Sequence, residues 1–295
     1  MTATDDRRLK GYPPELERLT ASPPGAYRIV RYGPSPEQFG EYWPGGDGAA
    51  VVLLHGGYWR ERYRLDLMHL LAADLQARGY AVWNVEYRRM DMPGGGWPGT
   101  FHDVAAALDA VPGLGGGAVD PARVGLVGHS AGGQLALWAA HRRSGTPPAV
   151  AVSLAGVCDL ALAARLRLSD GAVAQLLGGG PADRPEVYRQ ADPLALAPLG
   201  VPQLVVHGTA DPHVPYELSR RYAAAAGPAA ALLGLPGADH FDVVDPGTAA
   251  WARIARELSR LLPARRPAPP QRPAAVPAPA PAPAGIAPPV TGFDE

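Results

Sequence analysis

Residues 123–133 read RVGLVGHSAGG, and the fold is decided there. Val124–Val127 is a short apolar run of the kind that forms a buried strand, and the helical pattern of Ala131–Arg143 follows at once. Between them, Gly128-His129-Ser130-Ala131-Gly132 makes a G-x-S-x-G turn at a strand-to-helix junction. So sharp a turn crowds the backbone on both sides of the serine, so the flanking positions need glycine. The helix N-terminus beneath Ser130 favours developing negative charge. Placed at this junction, the pattern reads Ser130 as a nucleophile rather than a chance match in a Gly-rich chain.

Outward from this turn the chain alternates apolar strands and helical patterns. The remaining candidate strands are Tyr27–Arg31, Phe39–Trp43, Ala50–Leu54, Ala81–Tyr87, Ala149–Leu154, Gln203–Val206 and Ala231–Leu235. The remaining candidate helices are Leu65–Arg78, Thr100–Val111, Pro215–Ala226 and Thr248–Leu262. From Ala50 onward the strands are continuous Val/Leu/Ala runs, as expected where both faces of a parallel sheet are covered. The pattern predicts an α/β fold with a mostly parallel central sheet flanked by helices, its chemistry at the carboxyl ends of the strands. Residues 156–198 interrupt the rhythm and predict a small cap insertion of one or two helices over the site. The folded domain is expected over 1–262. In 263–295, 11 of 33 residues are proline, which predicts an extended, disordered Pro/Ala-rich tail.

Composition bounds the alternatives. Gly and Pro fill 70 of 295 positions, near the roughly 25–30% at which disorder becomes the default reading. Against that stand 47% hydrophobic residues, 19% charged residues and a formal net charge of −1, which together favour a packed core. A near-neutral chain has no electrostatic footprint for nucleic acid. Cys158 is the lone cysteine, so a disulfide framework is excluded. The polar start MTATDDRRLK is not a secretory signal, and no apolar run approaches the ~20 residues that span a bilayer. The expectation is a cytoplasmic protein acting on a small molecule, with neither nucleic acid nor membrane as partner; a homodimer remains open. No zinc-type Cys/His spacing and no P-loop appears, so neither metal nor cofactor is expected.

A serine nucleophile needs a base and an acid that holds it. Triad partners in folds of this type follow the order Ser, acid, His. His240, in GADHFD after the strand Ala231–Leu235, and Asp211, in HGTADPHVP after Gln203–Val206, both fall at strand ends in that order. Asp239 and Asp242 are competing acids but adjoin His240, and His213 is the competing base. His55-Gly56-Gly57-Tyr58-Trp59 follows the strand Ala50–Leu54, where small residues let backbone N–H groups face a bound oxygen. Gly57, Tyr58 and Ala131 are the expected oxyanion donors, with His55 and His207 as structural residues of their turns.

These residues resemble the α/β-hydrolase superfamily, in its branch of hormone-sensitive-lipase-like esterases and kynurenine formamidases (arylformamidases). The resemblance is carried by HGGYW, by EYR at Glu86–Arg88, by GHSAGGQLA, by HGTADPHVP and by ADHFDVVD, spread over residues 50–246. HGGYW and HFDVV are similar to the bacterial formamidase pattern in particular. The resemblance implies hydrolysis of N-formyl-L-kynurenine to formate and L-kynurenine in tryptophan catabolism. Ser130 would be the nucleophile, His240 the base and Asp211 its orienting acid. Tyr58, Trp59 and Phe241 would contact the substrate, with no cofactor. The alternative is a carboxylesterase acting on short-chain acyl or aryl esters. A third reading is a non-catalytic binding protein on the same fold, opposed by the competent residue at every expected catalytic position.

Overall fold

The computed structural model describes residues 12–22, 26–142, 145 and 147–264. Its centre is an eight-stranded sheet in the order β1-β2-β4-β3-β5-β6-β7-β8. The strands are β1 (Arg28–Arg31), β2 (Phe39–Trp43), β3 (Ala50–Leu54), β4 (Ala81–Val85), β5 (Val124–His129), β6 (Val150–Leu154), β7 (Gln203–Gly208) and β8 (Ala230–Leu235). β1 and β2 run antiparallel to their neighbours, and β3 to β8 are parallel. Two strands run beyond their expected ends. Gly128 and His129 still pair with Ser153 and Leu154 of β6, while His207 and Gly208 still pair with Gly234 and Leu235 of β8. Both extensions deliver a site loop directly off hydrogen-bonded backbone.

The helices among the described residues are α1 (Pro14–Glu17), α2 (His69–Ala77), α3 (Gly99–Asp109), α4 (Ala131–Ala140), α5 (Leu160–Arg165), α6 (Leu168–Leu177), α7 (Pro185–Ala191), α8 (Pro193–Leu196), α9 (Tyr216–Ala226) and α10 (Ala249–Leu261). Alternate strand residues divide the core into two layers. Val52, Leu54 and Leu126 pack with α3, α4 and α9 on one face. Val51, Leu53 and Val127 pack with α2 and α10 on the other. α10 shows why such a helix docks: Trp251, Ile254, Ala255 and Leu258 fall on one stripe and are buried, and the Thr248 hydroxyl caps its start by accepting from the Trp251 N–H.

The insertion between β6 and β7 holds four helices, α5–α8, rather than one or two. They are short, and α5, α7 and α8 each begin on a local signal instead of a long apolar period. Asp159 and Asp192 cap α5 and α8 by accepting from the Leu162 and Leu194 amides, and Pro185 and Pro193 open α7 and α8. Of the tail expected over 263–295, all but the first two residues lie outside the described residues. No helix among the described residues is long and apolar enough to cross a membrane.

Candidate active site

At the end of β5 the chain enters α4 through Ser130, whose φ of 53° and ψ of −118° lie in a region that side chains normally avoid. Such a conformation costs about 1–3 kcal/mol and persists only where its surroundings fix it. Here the Ser130 N–H donates to the Leu154 carbonyl at 2.8 Å, and the Ser130 carbonyl accepts from Gly133 and Gln134 at 2.9 and 3.2 Å. A side chain at Gly132 would collide with the Leu54 carbonyl oxygen, so glycine lets α4 start hard against β3. Ala131 is the first residue of α4, so its N–H has no acceptor within the helix.

His240 and Asp211 come together beside this turn from loops after β8 and β7. His240 Nδ1 lies 2.6 Å from Asp211 Oδ2, a short charge-assisted contact. Asp211 Oδ1 accepts from the amides of His213 and Val214 at 2.7 and 2.9 Å. Burial alone would raise the Asp211 carboxyl, but hydrogen bonds from His207, His240 and the Val214 amide outweigh it and hold it well below the usual range. For His240, burial outweighs the Asp211 contact and depresses the imidazole below its ordinary value. His129 Nε2 lies 2.9 Å from the His240 carbonyl; burial and the adjacent His240 push His129 down to about 3, which keeps it a neutral donor. The competing acids serve their own loop: Asp239 accepts from the Phe241 and Asp242 amides, and Asp242 accepts from the Asp239 amide. His213 reaches Asp211 only through its backbone N–H.

The HGGYW turn is held from below. His55 Nε2 lies 3.0 Å from Glu86 Oε1, its ring stacks on Tyr87 at 4.3 Å, and the Tyr87 hydroxyl donates to the His55 carbonyl at 2.7 Å. Burial opposes charge on Glu86, yet Arg89, His55 and Arg64 outweigh it and bring its carboxyl down to about 2. Gly57, Tyr58 and Trp59 then take φ values of 105°, 51° and 56° in succession, and a Cβ at Gly57 would fall on the Tyr63 ring. Among the described residues, the amides of Gly57 and Tyr58 have no acceptor. Tyr58 lines the cleft, and its hydroxyl donates to the His213 carbonyl at 2.7 Å, tying this turn to the Asp211 loop. Phe241 also lines the cleft, with its edge against His240. Trp59, expected as a substrate contact, is instead fully buried in the core and contributes nothing to the cleft wall.

This arrangement can be set beside known proteins. The BD-FAE family model matches residues 44–225, more than half of the chain. The chain belongs to the BD-FAE family. An acetyl-hydrolase of Streptomyces hygroscopicus is 38% identical over 118 residues, which is 39% of this chain and 38% of that protein, so the shared part is well under half of either. An uncharacterized protein of Mycobacterium tuberculosis is 29% identical over 249 residues, covering 81% of this chain and 82% of its own length. Among solved structures, a thermophilic esterase from Thermogutta terrifontis superposes with a TM-score of 0.65 at 21% identity, over 84% of this chain and 97% of that one. A truncated carbohydrate esterase from gut microbiota gives 0.67 at 19% identity, over 81% and 98%. The fold is therefore that of an α/β-hydrolase. These three are named as an acetyl-hydrolase and as esterases, and none of them is named as a formamidase.

Ser130 and His240 open onto a cleft of about 720 Å³, within the range of small-molecule sites. Sequence reasoning missed its outer walls. Pro13, Leu16 and Leu19 from the N-terminal segment form one; Leu166–Asp170, running from the end of α5 into the first residues of α6, form another. The i,i+3 spacing of Leu16 and Leu19 was the available signal. Arg167, Ser169 and Asp170 all have positive φ, and Arg60 holds this segment by donating to the Ser169 carbonyl at 2.8 Å and to Gln175 at 3.2 Å. Besides the histidines, the charged lining is Arg60, Arg62 and Arg167 against Asp170 alone.

Proposed function

We propose that the protein is a serine carboxylesterase that hydrolyses esters of short acyl groups. The observation that carries this reading is the His240–Asp211 pair at 2.6 Å in the same cleft as a serine held in a strained strand-to-helix turn. Neutral His240 takes the Ser130 proton from Nε2's side while Asp211 holds the Nδ1 proton. The Ser130 oxygen adds to the ester carbon, and the amides of Gly57, Tyr58 and Ala131 receive the developing oxyanion, each donor contributing about 3–4 kcal/mol. Collapse expels the alcohol with the proton from His240. Water then repeats the sequence on the acyl-Ser130 ester and releases the acid. Steady hydrolysis of p-nitrophenyl acetate by the purified protein, and its loss by at least about 10⁴-fold in Ser130→Ala, is the expected result. Equal rates for the two proteins would remove Ser130 as nucleophile, and no hydrolysis by either would favour a binding role.

A second reading, an arylformamidase acting on N-formyl-L-kynurenine, is favoured by the HGGYW and HFDVV motifs and by the aromatic faces that Tyr58 and Phe241 present to the cleft. The same triad would cleave the formyl amide, with formate as acid and the aryl amine as leaving group. Comparing kcat/KM for N-formylkynurenine with that for aryl acetates decides between them: a formamide turned over at the background rate leaves the esterase.

A further inference from the structure

His207, the last but one residue of β7, is fully buried and does not line the cleft. Its Nε2 lies 2.9 Å from the Val214 carbonyl and 3.2 Å from Asp211 Oδ2, two acceptors. Both are satisfied only if Nε2 carries the proton, since a lone pair there would face a carbonyl and a carboxylate together. Nδ1 then accepts, and the buried Ser219 hydroxyl, 2.7 Å away, is placed to donate to it. The Asp211 carboxylate thus has a donor on every side: two amides on Oδ1, and two histidines converging on Oδ2.

We infer that His207 is a positioning residue that sets the orientation and the charge of Asp211 Oδ2 toward His240, with Ser219 fixing its tautomer. The inference rests on the triad reading above. A neutral donor on Oδ2 competes with His240 Nδ1 for the same oxygen and tempers the negative potential felt by the imidazole. Without it, the imidazolium form of His240 is favoured and the base is lost at a higher pH. His240 also faces His213 at 5.1 Å and His129 at 4.6 Å, neither of which a change at His207 removes. Beyond Ser219 and Val214, His207 meets the edge of Tyr216, and Asp211 also feels the Tyr58 hydroxyl.

The test is the pH profile of kcat/KM for p-nitrophenyl acetate in His207→Gln and His207→Asn. A glutamine amide reaches the place of Nε2 and keeps the donor; an asparagine amide stops near Nδ1. The expected result is an acid limb unmoved in the Gln variant and raised by about one pH unit in the Asn variant. kcat should fall by roughly 10–100-fold in the Asn variant alone, with KM unchanged in both. An acid limb that stays in place in both variants, or moves equally in both, overturns the inference and leaves His207 a packing residue. Ser219→Ala, which keeps His207 and frees only its tautomer, reads the same limb if the pair fold poorly: a smaller upward shift supports the inference and an unmoved limb overturns it. Absence of hydrolysis by the unaltered protein overturns the esterase reading itself, a result distinct from any of these.

Discussion

The floor of the cleft and its rim are built by opposite rules. On the floor, Ser130 and His240 are 1% and 4% exposed and the Asp211 side chain is buried; Ser130 bonds the backbone of β6, the His213 and Val214 amides hold Asp211, and the His129 ring holds the His240 carbonyl. At the rim, Leu166 is 49% exposed, Arg62 and Arg167 face solvent, and a segment with positive φ at Arg167, Ser169 and Asp170 is held down through the side chain of Arg60. The difference separates two jobs. Proton transfer and oxyanion capture need atoms fixed to fractions of an ångström, which turns anchored to the ends of paired strands supply. Admission and selection of substrate need surface that can give, and surface that can give is held by few contacts.

The comparison can be broken where it is strongest. Asp211→Asn leaves the shape of the floor but lets His240 take the wrong tautomer; kcat should fall by about 10⁴-fold with circular dichroism unchanged. A loss confined to KM would place Asp211 with the rim. A smaller effect is expected one layer up. Arg60→Ala keeps the backbone bond from Arg60 to Gly57 and removes only the grip on Ser169 and Gln175. KM should rise by roughly tenfold with kcat little changed, a loss of positioning contacts worth about 1.4 kcal/mol; a kcat effect as large as that of Asp211→Asn would merge the two regions. The smallest effect belongs to the solvent-facing charge. Arg62→Gln with Arg167→Gln should lower kcat/KM for an ester bearing a carboxylate by about two- to fivefold against its neutral counterpart, at low salt only. A preference that persists in high salt would mean that these arginines act at close range.

The floor was legible in the sequence and the rim was not, for a physical reason. Strand-to-helix turns demand glycine and small residues at set offsets, so Gly128-His129-Ser130-Ala131-Gly132 announces its geometry, and the strand ends carrying Asp211 and His240 follow from apolar runs. Which of two adjacent aromatics meets the cleft depends on three consecutive positive φ values, and no period encodes that; Tyr58 faces the cleft and Trp59 the core. Of the four short helices of the insertion, α5 and α8 start on a capping aspartate and α7 on a proline, and all are too brief for an apolar stripe to show. His207 was one histidine among eight, and its standing depends on Ser219 and Val214, which tertiary packing brings to it.

The hydrogen bond from Tyr58 to the His213 carbonyl joins residues 155 positions apart, and the strained Ser130 leans on Leu154 of the next strand. Contacts this distant close late, because loop-closure entropy must be overcome before they form. A nascent chain ending after β5 would carry the serine without the strand that keeps its turn in place, and without Asp211 or His240. On the proposed reading, turnover requires β8 and the loop after it to have docked.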